Sequence, residues 1–371
     1  MATKTWVGTT NAWGTASNWS PAVVPIATDD LIFNNAANCV PAAASVCNSI
    51  DFTGYTGTLS GANTITISGS TTGTSTGISL RLSSGMTITY TGVITFTGLL
   101  GGYIYSNGKS FAGNLVFNNA TGTWSNQDAL ASSASITLTT GTFNINANLT
   151  IGSASAFTFT AGTINANNGA NITCGTFVSS AANTRTLNMG SGTWTLTSTG
   201  TVWNMNATSM TLNAEQSRIL INNTSAATSS FTSSGSLTYY TIEYARGGGG
   251  GSLVFTTTTN TTIINLIDNT STAAHLVGFQ SGNWNFYKFN VRGSAGALIQ
   301  VSRSGVLSPT ITKIGQGIVP YCDYLNIIST SFTASPTNTW YAGANSTGSG
   351  GGWVMTAAPS SRSLLGAGGV G

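Results

Sequence analysis

A short alternating phrase built from Thr, Asn and one apolar residue recurs through the middle of the chain. It reads Ile136-Thr-Leu138, Phe143-Asn-Ile145-Asn146, Leu149-Thr-Ile151, Phe157-Thr-Phe159 and Gly162-Thr-Ile164-Asn165. It continues as Asn171-Ile-Thr173, Thr186-Leu-Asn-Met189, Trp194-Thr-Leu196 and Met210-Thr-Leu212. Period-two alternation sends one side chain inward and the next outward, the pattern of a strand with one buried face. Many strands this short, parted by Gly, Ser and Asn, indicate a stacked or sandwiched all-β architecture.

Gly-Thr followed by an aromatic or β-branched residue recurs at Gly122-Thr-Trp124, Gly141-Thr-Phe143, Gly162-Thr-Ile164, Gly175-Thr-Phe177 and Gly192-Thr-Trp194. The steps are 19, 21, 13 and 17 residues, roughly one coil per 20. This spacing predicts a right-handed parallel β-helix with loops of variable length, capped at both ends. Glycine supplies the corner, and Thr with its bulky follower opens the next strand. The alternative, a β-sandwich of hairpins, calls for two-residue Asn-Gly or Asp-Gly turns. The Asn-Gly pairs present are Asn107-Gly108 and Asn168-Gly169. Helical periodicity with caps is nearly absent.

Four regions follow from the pattern. Residues 1–50, with Trp6, Trp13 and Trp19, three prolines and Asp29-Asp30, read as an N-terminal cap over the exposed first rung. Residues 51–235 are the β-helix body. Residues 236–353 carry longer, more apolar strands such as Leu237–Tyr244 and Trp284–Phe289; they read as thicker coils or as a sandwich-like section, closed by a second cap with Trp340 and Trp353. Residues 354–371 form a Gly-, Ala- and Ser-rich tail.

Charged residues are 5% of the 371, against about 25% in an ordinary soluble domain. The outer surface must therefore be Ser, Thr, Asn and Gly. Net charge is +3 and the cations are scattered singly from Lys4 to Arg362, which argues against nucleic-acid binding. No run approaches the ~18 apolar residues of a membrane helix. The start, Met-Ala-Thr-Lys-Thr-Trp, lacks the apolar core of a signal peptide, so the expectation is synthesis in a cytoplasm or a mature form with an added Met. Cys39, Cys47, Cys174 and Cys322 have no zinc-motif spacing. Either Cys39 and Cys47 close a small loop, or all four pack as reduced, apolar side chains.

Catalysis needs titratable groups brought together. Asp29, Asp30, Asp51, Asp128, Glu215, Glu243, Asp268 and Asp323 show no spacing that would place two or three on adjacent coils. Asp128, Glu215 and Asp268 read as turn or edge residues. His275, the one histidine, lies in a loop-like context and reads as an ordinary surface residue. A Ser-His-Asp site would need it, with Asp268 or Asp323 orienting it, and no Gly-x-Ser-x-Gly elbow is present. Asp29-Asp30 suits calcium or simply a cap turn. Trp124, Trp194, Trp203, Trp284, Tyr103 and Tyr105 would either stack on sugar rings or fill the interior. No catalytic group, cofactor or metal site is expected.

Two segments resemble a known group. Trp6-Val-Gly-Thr-Thr-Asn-Ala-Trp13, with Asn18-Trp-Ser-Pro21, Val24-Pro25 and Asp29-Asp30-Leu-Ile-Phe33, resembles the opening of β-solenoid surface proteins of environmental bacteriophages and of secreted bacterial β-helix adhesins. Cys322-Asp-Tyr-Leu-Asn-Ile327, Trp340-Tyr-Ala-Gly-Ala-Asn-Ser-Thr347 and Gly352-Trp353 resemble their closing motif. The two motifs cover roughly 65 residues, and the body matches in style. Secreted bacterial members carry a signal peptide and often a sorting domain, which this sequence lacks, so the resemblance favours the phage members. It implies a non-enzymatic protein on the virion exterior: a capsid decoration, head fibre or tail fibre. It further implies a trimer, contacts with other virion proteins and a possible host-surface glycan. An adhesin or carbohydrate-binding β-helix is the second reading, and a polysaccharide-degrading tailspike the third.

The tail holds the expected partner anchor, Leu364, Leu365 and Val370 as its apolar groups and Arg362 as its polar one. Deleting residues 357–371 is expected to leave a folded, soluble protein that no longer enters particles. Normal incorporation of the truncated protein, measured by gel analysis of purified particles, would remove the tail as the anchor.

Overall fold

The structure is a computed structural model. It describes residues 2–43, 45–245, 250–256, 260–270, 272–316, 318–319, 322–328 and 332–358. Among the described residues the one helical element is a three-residue 3-10 turn, Ala16–Asn18. The chain forms two compact units, residues 1–198 with 202–218 and residues 199–201 with 219–371.

In the first unit the alternating phrases form parallel coils. The strand Ile136–Ile145 pairs in parallel with Leu115–Asn126 on one side and with Ala156–Phe159 and Gly162–Ala166 on the other. It turns a corner at Gly141, where φ is +106°, and so contributes to two faces. Leu130–Ser132, Leu149–Ile151, Ile172–Cys174 and Thr193–Leu196 make the third. Each face buries a column of apolar residues: Ile136, Phe157, Phe177 and Trp203 on the first. Trp124, Phe143, Ile164 and Leu187 fill the second. Leu130, Leu149, Ile172 and Trp194 fill the third. All twelve are at most 1% exposed. Phe177 and Trp203 stack within the first column at 4.6 Å, and Phe117 of the first face reaches Phe143 of the second at 4.6 Å.

This arrangement explains the uneven Gly-Thr spacing. The motifs at Gly122, Gly141 and Gly162 open the same face on successive coils, whereas Gly175-Thr-Phe177 opens the first face and Gly192-Thr-Trp194 the third. Steps of 13 and 17 residues therefore run from one corner to a different corner. True coil repeats are longer, with stacked partners 21, 23 and 25 residues apart. The corner leaves no choice of residue at Gly162: φ is +95°, and a Cβ would sit 2.0 Å from the Gly141 carbonyl oxygen.

At the N-terminus, Thr3–Trp6 pairs in parallel with Asp30–Ile32, and its other edge is covered by the antiparallel strand Trp19–Ser20. Covering that edge satisfies a row of backbone groups that would otherwise face water or another chain. Trp6, Trp13 and Trp19 are at most 1% exposed. Trp19 meets Trp6 at 5.0 Å and Trp13 at 5.2 Å, and Phe33 joins them to Phe52 by a 4.5 Å stack. Trp19 Nε1 donates to the Trp13 carbonyl at 2.8 Å.

The second unit follows the same rule, which settles the sandwich question. Thr238–Tyr244, Thr261–Asp268, Asn283–Val291, Thr310–Lys313 and Thr333–Ser335 pair successively in parallel. So do Ser229–Ser233, Leu253–Thr256, His275–Phe279, Ile299–Arg303, Leu325–Ile328 and Thr347–Ser349. A sandwich of hairpins would pair neighbours antiparallel; these strands skip their chain neighbour and coil. Trp340 and Trp353 pair in parallel strands, their rings 5.2 Å apart and packed on Phe289.

Large-to-small changes in such a cluster remove ring burial and leave a cavity. Trp19→Ala is expected to cost ~3–5 kcal/mol, read from the denaturation midpoint. An unchanged midpoint would show that the tryptophan cluster does not hold the N-terminal coil.

Candidate functional site

The outward positions of the first unit form an ordered surface. Thr142, Thr163, Thr186 and Thr211 stack in register. Two residues on, Asn144, Asn165, Asn188 and Asn213 form a hydrogen-bonded ladder. Asn165 Nδ2 donates to Asn144 Oδ1 at 2.7 Å, Asn188 to Asn165 at 2.6 Å and Asn213 to Asn188 at 2.5 Å. An amide carries both donor and acceptor, so identical residues can bond along a column. The phrase Thr-x-Asn thus encodes a neutral, fixed grid on one face.

The carboxylates serve turns and corners. Asp128 accepts the Ser106 and Asn107 backbone N–H groups at 2.8 and 2.6 Å. Asp29 accepts the Ile26 N–H at 3.1 Å, and Asp30 takes Asn48 Nδ2 and Ser49 Oγ, both at 2.6 Å. Glu215 sits exposed at a turn with φ +47°. Asp323 accepts the Tyr324 N–H at 2.9 Å, the Asn345 N–H at 3.0 Å and Asn345 Nδ2 at 2.9 Å. Burial pushes the Asp323 carboxyl up, but these donors and Arg292 outweigh it and hold its pKa below the ordinary value. Among the described residues, no three His, Cys, Asp or Glu side chains converge on a possible metal position.

His275 and Asp268 correct the sequence reading. His275 is not a surface residue: it opens the strand His275–Phe279, and its side chain is 1% exposed. Asp268 closes Thr261–Asp268 and is fully buried. His275 Nε2 lies 2.6 Å from Asp268 Oδ2, and Nδ1 lies 2.9 Å from the Ala273 carbonyl. Each ring nitrogen thus has a polar partner, so the imidazole is held in place inside the coil. The signal was present in the alternation His275-Leu-Val277-Gly-Phe279, which puts His275 on the inward side with Val277 and Phe279.

Arg185 is a further internal charge, fully buried, whose guanidinium bonds carbonyl and hydroxyl oxygens. Nε donates to the Asn183 carbonyl at 3.0 Å, and Nη2 to those of Asn206 and Thr208 at 2.7 and 2.8 Å. Nη1 bonds the Ser179 carbonyl and, at 2.7 Å, Ser179 Oγ. Its rigid fork ties two stacked corners of adjacent coils together, residues 179–183 and 206–208.

Trp124, Trp194, Trp203 and Trp284 are 0% exposed and form core, so none presents a ring to a ligand. Tyr103 and Tyr105 are half-buried on the outside, with the Arg81 guanidinium 4.8 Å from the Tyr105 ring centre. All four cysteines are free and buried, with no Cys39–Cys47 bridge. Burial pushes the Cys174 and Cys322 thiols up to about 12, far from the thiolate that redox or nucleophilic chemistry uses. Arg362, Leu364, Leu365 and Val370 lie outside the described residues. Comparison with protein-family models, with curated proteins and with solved structures gives no match.

Asp323 makes acid stability testable. Its folded pKa is depressed, so its contribution is present above the unfolded carboxylate value of about 3.9 and is lost as pH falls through the lower folded value. Asp323→Asn is expected to melt below the wild type at neutral pH, with the two melting curves converging below about pH 3.9. A difference independent of pH would remove the ionised carboxylate as the cause.

Proposed function

We propose that this chain is a non-enzymatic structural protein on the exterior of a phage virion: a capsid decoration, a head fibre or a tail fibre. One observation carries the reading. One outer face of the first unit is a grid of neutral Thr and Asn locked by its own hydrogen bonds, while Asp29, Asp128 and Asp323 accept backbone N–H groups and Asp268 meets the buried His275. Such a surface holds its shape and hydrates evenly, which suits presentation rather than turnover. The opening and closing motifs at Trp6–Phe33 and Cys322–Trp353 support the same reading.

Self-association into a trimer and contact with other virion proteins belong to this proposal. The first unit exposes Leu99 and Leu100 at 68% and 53%, and the second exposes Val306 and Leu307 at 90% and 63%. Association would take such apolar groups out of water. Synthesis in the host cytoplasm, followed by mounting on the particle, completes it.

Immunogold electron microscopy of intact particles tests the proposal, with a strain deleted for the coding sequence as control. Label on the particle surface that disappears in the deletion strain is expected. Label on the bacterial envelope alone would support an adhesin instead. Turnover of a polysaccharide by the purified protein, lost in Asp128→Ala, Glu215→Ala, Asp268→Ala or His275→Ala, would support a tailspike.

A further inference from the structure

The in-and-out alternation slips by one residue in the strand Asn283–Val291. Trp284, Phe286, Phe289 and Val291 are buried, so the consecutive pair Tyr287 and Lys288 both face out. Tyr287 is 47% exposed, in a protein whose other large rings are mostly internal. Beneath it lies Gly315, with φ +75°, where a Cβ would come within 3.0 Å of the ring's Cδ1. The glycine lets the loop backbone close on the ring edge and hold it in place.

Next to this pair the interior column Tyr239, Ile263, Phe286 ends in a charged residue. Lys313 stacks in register on Phe286 and is 8% exposed. Its ammonium donates to the Ile314 carbonyl at 2.6 Å and the Gln316 carbonyl at 3.4 Å. An ammonium has three donors, and no described residue accepts the third. Among the described residues, neither Lys288 nor Lys313 pairs with a carboxylate. Tyr287, Lys288, Lys313, Gln316, Ile318 and Val319 line a depression of about 200 Å³. That is below the roughly 300–1,000 Å³ of a drug-sized pocket, and fits a single ring.

We propose that this depression binds one ring of an acidic polysaccharide, a sugar bearing a carboxylate or a sulfate. The exposed Tyr287 ring offers an apolar face for the sugar to stack on, Lys288 and Lys313 meet its anionic group, and Gln316 supplies an amide to a hydroxyl. Two cations without counter-ions, in a chain with 11 basic residues in all, make a local positive site on a surface poor in charge. Ile318 and Val319 keep one wall dry, which strengthens the charge interactions. The inference stands on the second unit's own side chains and is independent of whether the protein is mounted on a particle.

Affinity electrophoresis of the full chain, at low ionic strength, through gels holding polygalacturonate, dextran sulfate or neutral dextran tests it. Retardation by at least one anionic polymer is expected, and the stronger of the two identifies the anion. Added salt should weaken it, since exposed charge pairs are screened. Lys288→Ala and Tyr287→Ala, both surface changes, should each raise the dissociation constant by about tenfold or more with unchanged melting temperature. Lys288→Arg should keep most of the affinity. No retardation by either anionic polymer, equal retardation by neutral dextran, unchanged affinity in Lys288→Ala, or an equal loss in Lys109→Ala would each overturn it.

Discussion

Parallel, in-register stacking is the constraint on which the rest of this protein depends. Neighbouring strands lie about 4.8 Å apart, so every side chain has its counterpart from the next coil directly above it. Like charges in such a column repel, while an amide or a hydroxyl can bond its own copy. The 5% charge content therefore follows from the fold itself. A lysine or glutamate repeated at the outward positions of Thr142, Thr163 and Thr186 would oppose the coil, whereas Asn144, Asn165 and Asn188 reinforce it.

The charges that do occur obey the same rule. Asp51 stacks in register beneath Arg81 with a 3.2 Å ion pair, and Arg81 stacks in turn on Tyr105. That column runs anion, cation, aromatic face, with no repeated sign. Arg185 takes its place above Gly162 and below Met210, its guanidinium carried into a cage of carbonyls. His275 and Asp268, on different columns, meet at 2.6 Å. Leaving either partner of such a buried pair alone is far costlier than the pair is favourable. These internal charges belong to particular corners rather than to the repeat.

This separates what could be read in the sequence from what could not. The columns were legible, because period-two alternation names the inward residue at each strand, and Trp124, Phe143 and Ile164 fall where it puts them. The coil length was obscured, because Gly-Thr marks corners where a Cβ would meet the neighbouring coil's backbone, and three kinds of corner use it. The parallel course of residues 236–335 was open between coil and sandwich, since long apolar strands suit both. Asp268 and His275 escaped because pattern names a facing direction but not a partner: the two meet although they lie seven positions apart on different strands. The Tyr287-Lys288 pair is visible only as a break in alternation, which a sequence reading passes over as imperfection.

Breaks of this kind carry the chemical individuality of a coiled protein. A grid of Thr and Asn looks nearly the same at every coil, so it cannot distinguish one ligand position from the next. Recognition needs a place where the column is interrupted and a different group is forced outward. The slip between Phe286 and Phe289 does this with Tyr287 and Lys288, and the charged end of the Phe286 column does it again with Lys313. The ladder fixes the backbone at Lys288 and Lys313 and the Gly315 loop closes on the Tyr287 ring, so less conformational freedom remains to be lost when a ligand arrives. The regular part of the fold thereby preorganises its own irregularities. A binding site built this way needs few residues, and the low charge of the surrounding columns lets two uncompensated lysines define it.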